Sequence, residues 1–71
     1  MKSYGNVSGS SGVLAYETGA DWIKVKFTDG KVYKYSYTGA GMDHIEQMKV
    51  LAQRGSGLAT YINRYVRNLY D

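Results

Sequence analysis

A chain of 71 residues with no cysteine and no proline has room for one small domain, which buries only about 60% of its unfolded surface. The absence of cysteine excludes disulfides, and one histidine without any thiol cannot form a structural zinc site of the usual kinds. Core packing or self-association must therefore supply the stability. The net charge of +3 favours anionic partners only mildly. The composition is that of an ordered protein, and no apolar run approaches the roughly 18 residues that a membrane span needs, so we predict no membrane association.

The first twelve residues are rich in glycine and serine and have little to bury. We interpret residues 1–12 as a flexible N-terminal segment or a partly ordered edge, and residues 13–71 as a single domain. Residues 13–17 form a short apolar run that predicts a strand, and residues 17–21 are typical of a turn. No charged-then-apolar pattern predicts a secretion signal, and the absence of cysteine agrees with a cytoplasmic location.

Strict alternation of apolar and polar residues predicts two further strands, at residues 22–27 and 31–37. A two-residue turn between them would mix polar and apolar side chains on both faces. A three-residue loop at 28–30, with Gly30 left-handed, instead places Tyr33 opposite Val25 and Tyr35 opposite Ile23. We therefore predict this register, which puts all the large apolar groups on one face.

From residue 42 the apolar period becomes helical. The first predicted helix ends at Gly55, and Ser56 is expected to cap a second. The buried residues of the first helix are predicted to be Met42, Ile45, Met48, Leu51 and Ala52. Those of the second are predicted to be Leu58, Tyr61, Ile62, Tyr65, Val66 and Leu69. The order β-β-β-α-α predicts an α+β fold, in which two C-terminal helices pack on one face of a three-stranded antiparallel sheet.

No catalytic constellation is apparent, so we expect a protein that is not an enzyme and uses neither metal nor cofactor. The only histidine, His44, would have to serve as the base of a serine triad, and the adjacent Asp43 points about 100° away from it on the helix. We interpret His44 as a surface helix residue. The glycines before each helix could offer N–H groups to a phosphate, more convincingly at Gly55-Ser56-Gly57 than at Gly39-Ala40-Gly41, although turns also require glycine.

The outward face of the predicted hairpin combines an aromatic ring with ammonium groups, a mixture that suits nucleotides. The alternative is that its lysines only solvate an uncovered sheet face. The predicted phosphate-binding residues are Lys24, Lys26, Lys34, Arg54, Ser56, Arg64 and Arg67. The predicted stacking residues are Trp22, Tyr33, Tyr35 and Tyr61, although the register places most of the tyrosine rings in the core.

Several short motifs resemble the KTSC domain, a module found at the C-terminus of some lysyl-tRNA synthetases and alone in bacterial and phage proteins. They are Val25-Lys26-Phe27, Tyr33-Lys34-Tyr35, Gly55-Ser56 and Ile62-Asn63-Arg64, with Tyr70 near the end. The resemblance covers about residues 10–70 and implies RNA binding, without catalytic residues.

We therefore expect a nucleotide-recognising module whose partner is most simply RNA. One alternative is a small phage or bacterial protein that sequesters a signalling nucleotide as a homo-oligomer. Another is a protein-interaction module that docks a partner through Tyr61, Tyr65 and Val50.

Overall fold

Within the described part of the chain, four antiparallel strands, rather than the predicted three, form the sheet, and two helical segments follow it. The computed structural model describes residues 1–5 and 12–71. The strands are consecutive neighbours: β1 (Lys2–Ser3), β2 (Val13–Thr18), β3 (Trp22–Phe27) and β4 (Val32–Ser36). Helix α1 (Met42–Arg54) comes next, and α2 (Leu58–Tyr61) continues directly into a π-helical turn (Ile62–Val66). The α+β class and the antiparallel sheet are thus confirmed, and the strand number is corrected.

The additional strand comes from the N-terminal segment. Lys2 is paired with Tyr16 of β2, and the backbone N–H of Tyr4 donates to the carbonyl of Leu14 at 2.9 Å. The Tyr4 side chain is 5% exposed, and its hydroxyl accepts a hydrogen bond from the backbone N–H of Leu58 at 3.2 Å. Lys2–Ser3 therefore forms one edge of the sheet, and residues 6–11 of the predicted flexible segment lie outside the described residues.

The predicted register of the β3–β4 hairpin is confirmed. Ile23 is paired with Tyr35 and Val25 with Tyr33, and all four side chains face the helices. The N–H of Gly30 donates to the carbonyl of Phe27 at 2.9 Å, and Gly30 has a φ of 90°, so the loop has three residues and a left-handed glycine. Because side chains alternate between faces, this register also fixes which residues point away from the helices.

Helix α1 packs on the sheet through a stripe of apolar residues. Its C-terminal cap is Gly55, with a φ of 81° and an N–H that donates to Leu51, as predicted. The buried residues are Ile45, Met48, Leu51 and Ala52. Met42 was predicted to join them, but it is 57% exposed because it begins the helix and packing against the core starts at Ile45, one turn later.

The second helical segment departs from the predicted α-helix. Gly57, with a φ of 85°, occupies the N-cap position and no side chain caps the helix, so the prediction that Ser56 does so is wrong. The buried residues of this segment are spaced by four: Leu58, Ile62 and Val66. A π-helical turn is wider than an α-helical one, so the 3.6-residue stripe fails here, and Tyr65 and Leu69 are 54% and 38% exposed.

One continuous core joins the sheet and the helices. Its most deeply buried large side chains come from three strands and both helical segments: Val13, Ile23, Val25, Tyr35, Ile45, Met48, Leu58 and Val66. All these groups lie on one side of the sheet, so the other side is left without a covering layer among the described residues.

Candidate nucleic-acid interface

The side of β3 and β4 that points away from the helices carries a cationic and aromatic surface, here called the open face. It consists of Trp22, Lys24, Lys26, Val32 and Lys34. Lys24 is paired directly with Lys34, and Lys26 with Val32. The hairpin register, set by burial of the opposite face, is what brings three predicted phosphate-binding lysines and the predicted stacking residue Trp22 together.

Two ammonium groups share the ring of Trp22. The Nζ atoms of Lys24 and Lys34 each lie 5.5 Å from the indole centroid. Glu17 is paired with Lys24 on its other side, yet the only ion pair among the described residues joins Lys49 to Glu46. Like charges directly opposite each other on a sheet are destabilising, and the indole offsets this only in part. An anion placed between the two lysines would relieve their repulsion.

Gly19 holds the indole in place. It lies in the turn before β3, and its N–H donates to the carbonyl of Trp22 at 3.0 Å. A Cβ atom at Gly19 would lie 2.0 Å from Nε1 of the indole, so the ring packs directly on the glycine backbone. Trp22 is therefore half-buried and oriented, with part of its surface still accessible.

A second site lies on the opposite side of the sheet, between the hairpin tip and the C-terminal helical segment, and is here called the cleft. Its volume is about 530 Å³. The lining residues are Gly12, Phe27, Thr28, Asp29, Tyr33, Tyr35, Ile62, Asn63, Arg67, Asn68 and Tyr70. The predicted site residues Tyr33, Tyr35 and Arg67 thus meet here, away from the lysines of the open face.

Aromatic rings form one wall of the cleft. Tyr33 meets Phe27 edge-to-face at 5.7 Å between ring centroids, and Tyr70 at 4.8 Å. Tyr35 lies below them and is only 2% exposed, so its predicted role in stacking is wrong because no ring face is free for a base. Burial, helped by the nearby Tyr33 and Tyr70, raises the pKa of Tyr35 to about 12 and keeps its hydroxyl protonated.

The π-helical turn supplies the other wall. Residues four apart lie on one face of this segment, and Asn63 and Arg67 both line the cleft. Sequence reasoning missed Phe27, Asn63, Asn68 and Tyr70 as site residues. The α-helical pattern already places Asn63 and Arg67 on one face, four residues apart, but it gave no signal that this face borders a cleft.

The remaining predicted phosphate-binding residues are dispersed. Arg54 ends α1, Ser56 lies half-buried in the helix junction, and Arg64 is exposed on the π-helical turn. None of the three lines the cleft or belongs to the sheet. The structure thus divides the predicted set between the open face, the cleft and isolated positions.

Tyr61 belongs to an aromatic cluster that joins the two helical segments. A hydrogen bond of 2.6 Å connects its hydroxyl with Nδ1 of His44, and the His44 ring stacks on Tyr65 with 6.1 Å between centroids. Burial, with smaller contributions from Tyr65 and Asp43, raises the pKa of Tyr61. His44 is therefore a half-buried structural partner of Tyr61, rather than the free surface residue that the sequence suggested.

No cluster of three or more metal-ligating side chains occurs among residues 1–5 and 12–71. Within the same residues, no helix has the length and apolar character needed to cross a membrane. Comparisons of the chain with protein-family models, with curated proteins and with solved structures give no match.

Proposed function

We propose that the protein is a non-enzymatic module that binds single-stranded RNA on the open face of its sheet. The observation that carries the proposal is the arrangement of Lys24 and Lys34, which lie opposite each other, without an ion pair to any described residue, and both within 5.5 Å of the Trp22 centroid. Lysines of this kind neutralise phosphates, while an oriented indole offers a surface on which a base stacks, worth about 1–3 kcal/mol.

The architecture supports the same proposal by analogy. RNA recognition motifs also bind single strands through aromatic residues on a four-stranded sheet. The resemblance to KTSC domains points towards RNA as well and stays a prediction, since no family model matches the chain. An RNA ligand also agrees with the proposed cytoplasmic location. One copy of the open face suffices for this function, so the proposal requires no homo-oligomer.

The single tryptophan of the chain provides the assay. A single-stranded oligoribonucleotide of about ten nucleotides should quench the fluorescence of Trp22, because a stacked base contacts the ring. If the three open-face lysines neutralise about three phosphates, log K should fall with log salt with a slope near −2, which is about a 20-fold loss of affinity between roughly 50 and 200 mM salt.

A charge-matched pair of variants separates this surface from general electrostatics. Replacing Lys24, Lys26 and Lys34 together with alanine should abolish most binding and flatten the salt slope. The control replaces Lys2, Arg54 and Arg64, which removes the same charge from exposed positions outside the open face and should leave the slope nearly unchanged. A flat salt titration of the native protein, or equal binding by the two variants, would contradict the proposal.

A further inference from the structure

The cleft contains polar groups that the rest of the protein leaves unused. Among residues 1–5 and 12–71, the side chains of Asn63, Arg67 and Asn68 have neither a hydrogen bond nor an ion pair. Their donors and acceptors lie along one wall of a cavity of about 530 Å³, a size typical of small-molecule sites. A guanidinium beside two amides is suited to an anionic, oxygen-rich group such as phosphate.

A buried hydroxyl reaches the same cavity. Tyr35 is only 2% exposed, yet within the described residues its hydroxyl has no hydrogen-bond partner. Every fully enclosed side-chain nitrogen or oxygen in this part of the chain does have one. The Tyr35 oxygen must therefore reach accessible surface, and the cleft is the surface that Tyr35 lines. This hydroxyl therefore adds one more hydrogen-bond donor and acceptor to the residues that line the cleft.

The opposite wall suits a planar ring. Tyr70 packs on Tyr33 but remains 44% exposed, so part of its surface is free for stacking. At the hairpin tip, Asp29 accepts the backbone N–H of Lys31 through Oδ1 at 3.0 Å, which leaves Oδ2 to accept N–H groups from a ligand. The cleft thus offers an aromatic surface, acceptors for ring N–H groups, and a cationic wall.

We propose that the cleft binds a nucleoside monophosphate, with its phosphate at Arg67 and Asn63 and its base against Tyr70. This site lies on the other side of the sheet from the open face, because Tyr33 and Lys34 are adjacent in β4 and point in opposite directions. The two sites are therefore separable by mutation, and this one does not depend on RNA binding by the open face.

The test measures the contribution of the phosphate by comparing GMP with guanosine. Guanine is the first probe because its Watson–Crick edge carries N–H donors that Oδ2 of Asp29 can accept, and AMP, CMP and UMP are tested in parallel. Binding is followed by backbone amide NMR shifts, which should concentrate at residues 27–35 and 62–70. GMP should bind about ten times or more tighter than guanosine at low salt, as expected for charge-assisted hydrogen bonds.

Arg67 and Arg64 form a matched pair on the same helical segment, since both are exposed and only Arg67 lines the cleft. Arg67→Ala should reduce the GMP-to-guanosine ratio to near 1, whereas Arg64→Ala should leave it unchanged. The triple alanine variant of the open face should still bind GMP as the native protein does. Failure of all four monophosphates to bind, or equal ratios for the two arginine variants, would overturn the proposal without affecting that for RNA.

Discussion

Tyr4 allows the most direct test of the fold, because it connects the N-terminal strand with the start of the second helical segment. Its hydroxyl accepts the backbone N–H of Leu58 at 3.2 Å in a buried position. Leu58 is the first residue of α2 and is 0% exposed, so neither the helix nor water offers its N–H another partner. Tyr4→Phe keeps the ring and removes only the acceptor.

The free energy of unfolding lost in Tyr4→Phe should be large relative to the total stability of the protein. Leaving a buried N–H unsatisfied costs about 1–3 kcal/mol, and we expect about 1–2 kcal/mol for Tyr4→Phe. A domain of this length has a free energy of unfolding of roughly 4–10 kcal/mol. Tyr4→Ala, which also opens a cavity, should cost about 3–5 kcal/mol and leave the protein marginally folded.

Urea unfolding followed by circular dichroism measures both changes. With an m-value of about 1 kcal/mol per molar urea, Tyr4→Phe should lower the midpoint by about 1–2 M. Tyr65→Phe is the control, because Tyr65 is 54% exposed and the structure gives its hydroxyl no partner among the described residues. If both variants shift the midpoint equally, the N-terminal strand does not lock the helix and the reasoning fails.

Two other positions give independent predictions. Gly19→Ala should displace the indole of Trp22, because the new Cβ would lie 2.0 Å from Nε1. We expect a shift in tryptophan emission, weaker quenching by RNA and a loss of about 1–3 kcal/mol in the free energy of unfolding. Unchanged emission would contradict this packing. The pKa of Tyr35 is about 12 in the folded protein and 10.0 in the unfolded chain, so the folded state holds the proton more tightly. The raised pKa of Tyr35 contributes at most about 2–3 kcal/mol to the free energy of unfolding. This contribution is complete below pH 10 and should be lost as the pH rises through 12. Urea unfolding from about pH 9 to 11 should therefore show a steeper decline for the native protein than for Tyr35→Phe, and parallel declines would refute the assignment.

The hairpin and the first helix could be predicted because burial alone specifies them. Only the register that pairs Val25 with Tyr33 places all the large apolar side chains on one face, and a slip by one residue would reverse them. The contents of the open face followed from this register without further information. The same reasoning predicted the buried stripe of α1, apart from its first residue.

The N-terminal strand and the cleft could not be predicted, because neither has a local pattern. Tyr4 is the one buried residue of residues 1–5, and its side-chain partner Leu58 is 54 residues away. The π-helical turn was hidden because an α-helical stripe through Tyr65 and Leu69 fits the sequence equally well. Packing of Leu58, Ile62 and Val66 at a spacing of four decides between the two, and it brings Arg67 to the cleft.

The outer edge of β4 affects whether the strand of another chain can pair with this sheet. The outward carbonyls of Lys34 and Ser36 accept the backbone N–H groups of Asp71 and Ala40, at 2.7 and 2.8 Å. At the other edge, β1 has only two residues. A two-residue strand at one edge and two occupied carbonyls at the other leave an incoming strand fewer backbone groups to pair with, which limits edge-to-edge aggregation. A binding partner of this small sheet is therefore directed to its faces, where side chains determine specificity, rather than to backbone groups that any extended peptide could match.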